Sequence, residues 1–132
     1  MLRIQNDFAI QMMEHARSEN PNECCGVLAG PRGDFSKLFR MTNVDASPYR
    51  FSWDPKELFK IWQEMEDNDW NHRAVYHSHT HSEAYPSDTD IRLASWPDAY
   101  YIIISLLDKD EPIIRAFLIN DGQVREQQLE LY

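Results

Sequence analysis

Tyr76-His77-Ser78-His79-Thr80-His81-Ser82-Glu83-Ala84-Tyr85-Pro86-Ser87-Asp88-Thr89-Asp90 carries most of the legible chemistry of this 132-residue chain. Side chains alternate in direction along a strand, so His77 and His79 point to one face and can present two imidazoles together. If Ser87 opens a helix, Ser87 and Asp90 share its first turn. Two imidazoles and one carboxylate leave a fourth tetrahedral position on zinc for water, which is the arrangement of a hydrolytic rather than a structural site. Each half alone has an ordinary reading: a histidine near a strand end is commonly a satisfied polar residue, and Ser-x-x-Asp is commonly a helix cap. Nothing about stability asks for two histidines on one strand face, and the combination points to a metal hydrolase.

Composition narrows the field further. The length suits one domain over residues 1–132 with a sizeable core, and 42% apolar residues are those of a globular chain. A formal charge of −9, with no Lys/Arg cluster, argues against nucleic acid. No charged, apolar leader follows Met1 and no apolar run is long enough for a membrane span, so the expectation is a cytoplasmic chain with no membrane partner. Cys24 and Cys25, the only cysteines, are adjacent. They cannot build a disulfide framework or a zinc knuckle, and on a strand they would face opposite ways as small packing residues.

The rest of the chain reads as a mixed sheet with helices against it, an α/β fold. Phe8, Met12 and Ala16, with Met13 beside them, predict an amphipathic helix over 6–19, capped by Asn6 and stopped by Pro21. The glycine-bounded apolar run 24–29 predicts a buried strand, and 35–43 a second strand pairing back on it after the turn at 31–34. A loop over 43–53 leads to a helix over 55–68. Asp54 is its N-cap, Pro55 sits in the first turn and Glu57 completes a capping box, while Leu58, Ile61, Trp62 and Met65 form its apolar stripe. Strand 73–79 carries the histidines, a short helix spans 87–95 and stops at Trp96-Pro97-Asp98, and 100–107 is a central strand. Strands 113–119 and 123–130 meet at the Asn120-Asp121-Gly122 hairpin, the last suited to an edge.

Amide hydrolysis needs a base for the water proton and an acid for the leaving amine, and one carboxylate near the metal can do both. Glu23 and Glu83 are the candidates. Glu83 lies in a loop whose neighbours suggest exposure, whereas Glu23 stands at the mouth of a buried strand, where a charge is costly without a task or a partner. Composition alone does not choose between them.

Pro21-Asn22-Glu23-Cys24-Cys25-Gly26-Val27-Leu28-Ala29-Gly30, then His77-Ser78-His79, then seven residues to Ser87-Asp88-Thr89-Asp90, resembles the JAMM (MPN+) metalloprotease family. The resemblance spans essentially the whole chain. It is strongest to the short bacterial branch of the CysO–cysteine peptidase type, through Thr42-Asn43, Ser47-Pro48, Trp62, Met65-Glu66-Asp67 and Glu83-Ala84-Tyr85-Pro86. It implies the MPN fold, with a mostly antiparallel mixed sheet, and one zinc per chain on His77, His79, Asp90 and a water. It also implies Glu23 as general base and then acid, with Ser87 as the hydroxyl that steadies the water or the oxyanion. Thr80 stands where other branches carry proline, which leaves the ligands untouched. His81 has the strand parity of a third imidazole, but the family uses the aspartate, and His81 is read as a loop residue near the substrate path.

The substrate implied is a ubiquitin-like sulfur-carrier protein whose Gly-Gly tail ends in an added residue, with cysteine released. The alternatives are another ubiquitin-like tail or conjugate, and a non-catalytic MPN scaffold, although scaffolds have generally lost ligands that this chain keeps. A zinc deaminase would need a Pro-Cys-x-x-Cys run, and a serine hydrolase a Gly-x-Ser-x-Gly elbow; neither is present. The oligomeric state stays open, a homodimer included.

Overall fold

The computed structural model describes residues 1–96 and 98–132, so the expected helix stop at Pro97 lies outside the described residues. In chain order the elements are β1 (Leu2–Ile4), α1 (Asn6–Glu19), β2 (Cys25–Gly30), β3 (Lys37–Met41), α2 (Pro55–Asp67), β4 (His72–His79), α3 (Asp88–Leu93), β5 (Tyr100–Ser105), β6 (Ile113–Asn120), β7 (Gln123–Gln127) and β8 (Leu129–Leu131). Six strands form one sheet in the order β3-β2-β4-β5-β6-β7, antiparallel throughout except for the parallel pair β4 and β5. A parallel pair requires a crossover, and the loop after β4 together with α3 supplies it. The site-bearing stretch is therefore the connection that leaves the carboxyl end of β4.

Both faces of the sheet are covered, which explains why β2 and β5 read as unbroken apolar runs. Cys24, Leu28, Tyr76, Ile102 and Ile104 pack with Met12 and Ala16 of α1. Cys25, Val27 and Ala29 pack with Ile61 and Met65 of α2. The two cysteines thus face opposite layers as expected, and burial pushes both thiols up, Cys24 to about 12. On the α1 face a Cβ on Gly26 would collide with the Tyr76 ring, so glycine is what leaves that ring its room.

Several local expectations are corrected. Gln5, not Asn6, is the N-cap of α1, and its amide donates to the Phe35 carbonyl at 2.8 Å rather than capping the helix. Asp54 caps α2 as expected, but Glu57 closes no capping box: its carboxylate accepts from the Thr42 backbone N–H and hydroxyl, both at 2.8 Å. The last strand is broken at Gln128, and β8 leaves the main sheet to pair in parallel with β1, a strand the periodicity of so short a segment did not reveal. The 120–123 hairpin is as read, with Asp121 and Gly122 both at positive φ (51° and 77°), which fits the twist of the flanking strands. Among the described residues no helix is long and apolar enough to cross a membrane.

His15, on the buried face of α1, pairs through Nδ1 with the Tyr76 hydroxyl at 2.7 Å. Burial, reinforced by Arg40, lowers its pKa from 6.5 to about 4. The unfolded chain therefore takes up a proton near pH 6.5 while the folded chain resists until about 4. Stability is full above the upper value and falls as the pH drops through this window. In urea unfolding of metal-loaded samples, the wild type should lose about 2 kcal/mol more than His15→Gln between pH 7.5 and 5. Parallel losses in the two proteins would contradict a buried neutral His15.

Candidate metal centre and active site

His77 and His79 end β4 on the face opposite Tyr76, and both are buried. Asp90 returns to them from α3 because Ser87 starts that helix with a reciprocal capping box. Ser87 Oγ accepts from the Asp90 backbone N–H at 3.1 Å, and Asp90 Oδ2 accepts from the Ser87 backbone N–H at 2.9 Å. The ordinary reading of Ser-x-x-Asp as a helix cap is realised, and the cap aims the Asp90 carboxylate at the two imidazoles. Asp90 Oδ2 lies 3.1 Å from His77 Nε2 and 3.0 Å from His79 Nε2, and the two nitrogens are 3.1 Å apart.

Three donor atoms converging this closely fit a metal. Tetrahedral zinc with bonds of about 2.0–2.1 Å spaces its ligand atoms about 3.3 Å apart, close to these separations. The tautomer fits as well. His79 Nδ1 donates to the Glu83 carbonyl at 2.9 Å, which leaves the Nε2 lone pair facing the cluster. Two imidazole lone pairs and a carboxylate oxygen repel one another unless a cation, proton or metal, lies among them. Burial alone would raise Asp90 and lower His79, but each stabilises the other's charged form. The carboxyl is held well below the usual carboxylate range, and the imidazolium is favoured. Among the described residues these three side chains are the one cluster of metal-ligating groups.

Glu23 and Glu83 separate clearly. Glu83 is exposed and contributes its carbonyl to His79. Glu23 is 4% exposed, and its Oε1 is buried with no hydrogen-bond partner among the described residues. Burial pushes its pKa up to about 8, the His79 charge opposes this and the Asp90 charge adds to it, so Glu23 is electrostatically linked to the cluster. His81 is exposed, bonds Thr80 Oγ1 through Nδ1 at 2.8 Å and is not part of the cluster, as the loop reading had it.

Asn43 is the residue that sequence reasoning passed over. Its Nδ2 donates to the carbonyls of Glu23 and Arg50, each at 3.0 Å. Its Oδ1 accepts from the backbone N–H of Asp45 and Ser52, each at 3.1 Å. All four hydrogen-bonding positions of the amide are thus used. The Glu23 N–H donates to the Ser47 carbonyl at 2.9 Å, and Thr80 Oγ1 donates to the Pro48 carbonyl at 3.0 Å, so one loop clamps Glu23 and the end of β4 together. Phe51 on the same loop lies against the His77 ring, with centroids 4.8 Å apart. The only signal in the sequence was the Thr42-Asn43 and Ser47-Pro48 pattern within the family resemblance. Asn43→Ala should cost about 1–3 kcal/mol of stability. It should also speed hydrogen exchange at the Asp45 and Ser52 amides, and unchanged exchange there would contradict the clamp.

A family model described as prokaryotic homologs of the JAB domain matches residues 6–120. A CysO-cysteine peptidase of Mycobacterium tuberculosis is 42% identical over 133 residues, covering 99% of this chain and 91% of that protein. A Thermus thermophilus protein named "Probable TtuB-protein conjugate cleaving protease" is 34% identical over 124 residues, covering 93% of this chain and 79% of that protein. A solution structure from Desulfitobacterium hafniense superposes with a TM-score of 0.87 at 36% identity, over 100% of this chain and 93% of that one. The family match spans most of the chain and the fold agrees with it, so this chain belongs to the prokaryotic homologs of the JAB domain and is a JAMM-type metallopeptidase with the MPN fold.

Proposed function

We infer that residues 1–132 act as one catalytic domain that holds zinc on His77, His79 and Asp90. The domain hydrolyses the amide bond after the C-terminal Gly-Gly of a ubiquitin-like sulfur carrier and releases cysteine. The observation that carries this reading is the buried Glu23 Oε1, without a hydrogen-bond partner among the described residues, electrostatically linked to three convergent metal-ligating groups. The 42% identity to a CysO-cysteine peptidase supports the choice of substrate. The donor set of two imidazoles and a carboxylate suits zinc.

A zinc ion bound there supplies Lewis acidity, making water acidic near neutral pH and polarising the scissile carbonyl. Glu23 takes the proton from the attacking water and returns it to the leaving amine, as the new C–O bond forms and the C–N bond breaks. Its pKa, raised by burial to about 8 against the opposing His79 charge, suits that double task. Ser87 Oγ already accepts from the Asp90 N–H, so its own proton is free to donate to the carbonyl oxygen as negative charge develops there.

The Thermus relative favours a second reading, in which the bond cleaved joins the carrier tail to another protein. Intact-mass spectrometry of a Gly-Gly-Cys-ended carrier and of a Gly-Gly–lysine conjugate, each incubated with the zinc-loaded protein, separates the two. Loss of one cysteine residue, blocked by chelator, is the expected result. Glu23→Gln should keep the wild-type metal content and lose about 10²-fold or more in rate. Ser87→Ala should lose about 10²-fold and about 1 kcal/mol of stability with the cap. Near-normal turnover in Glu23→Gln would remove Glu23 from the mechanism.

A further inference from the structure

His77 and Asp90 are also part of the wall of a pocket of ≈ 180 Å³. The remaining lining is mainly apolar and aromatic, with Phe51, Trp53, Leu93, Trp96 and Tyr101. Trp53 and Trp96 meet edge to face, with ring centroids 5.3 Å apart. Trp53 Nε1 is buried and has no acceptor among the described residues.

A pocket that touches two proposed metal ligands lies beside the place where the scissile bond would sit in the proposed reaction. On the carrier side the two nearest residues are glycines, which have no side chain to fill it. Only the residue on the leaving side has one. We propose that the Phe51–Trp53–Trp96 pocket receives the side chain of the released residue and selects apolar or sulfur-containing side chains up to about the size of a phenyl ring over polar ones. The size limit follows from the volume, because an apolar cavity of about 150 Å³ accommodates benzene. This inference rests on the Gly-Gly-tail reading of the preceding subsection.

The test uses the full chain and a ubiquitin-fold carrier made with tails Gly-Gly-X, where X is Gly, Ser, Cys, Met or Phe. Ser and Cys have the same shape and differ in polarity. Expected is a kcat/KM for Cys, Met and Phe about tenfold or more above that for Ser and Gly, since contacts in an apolar pocket discriminate on that scale. Leu93→Glu, at an exposed position on the pocket rim, should shrink the ratio of Met to Ser. A second readout is independent of turnover: in Glu23→Gln, the indole N–H resonances of Trp53 and Trp96 should move on binding the Met-ended carrier and stay still with the Gly-ended one. Equal cleavage of all five tails with unmoved indoles overturns the proposal. If no tail is cleaved, the proposed reaction fails, and the indole resonances still decide the pocket: movement supports it and none overturns it.

Discussion

One oxygen atom organises this structure. Asp90 Oδ2 accepts the backbone N–H that opens α3 and at the same time lies within 3.1 Å of both histidine Nε2 atoms. The helix cap and the metal-binding cluster are therefore one construction. The crossover demanded by the parallel β4–β5 pair must pass this point, so a topological necessity of the sheet brings a carboxylate to the strand that carries the imidazoles. Moving Ser87 or Asp90 by one residue would keep the composition and lose both the cap and the convergence.

The same economy runs through the sheet. β4 sends Tyr76 to the α1 face, where it lies on Gly26 and meets His15, and sends His77 and His79 to the other. β2 places Cys24 and Cys25 in opposite layers, and Glu23 just ahead of them is closed off by the 43–53 loop through Asn43. A carboxyl left buried without a partner is expensive. In Glu23 it stands electrostatically linked to a cluster of metal-ligating groups.

Much of this was legible in the sequence wherever the cause was local. The two-residue spacing of His77 and His79, the three-residue spacing of Ser87 and Asp90, the Asp54-Pro55 helix start and the apolar runs of β2 and β5 each encode their geometry within a few positions. What escaped depends on partners far along the chain. The β1–β8 pairing joins three-residue strands at the two ends, too short for periodicity to register. Glu57 was assigned to its own helix and instead bonds Thr42. His15, buried against Tyr76, looked like any polar residue of an amphipathic helix. From the residues alone the choice between Glu23 and Glu83 stayed open, and only the family resemblance pointed to Glu23, because a residue's neighbours in sequence say little about what covers its side chain.

The zinc ion proposed on His77, His79 and Asp90 would draw nothing from the two buried thiols. X-ray absorption at the zinc edge of the loaded protein tests this most directly. The expected result is one zinc per chain with only nitrogen and oxygen neighbours at about 2.0–2.2 Å, two of them imidazoles. A sulfur neighbour near about 2.3 Å would contradict it, as would a spectrum unchanged in the Asp90→Ala protein.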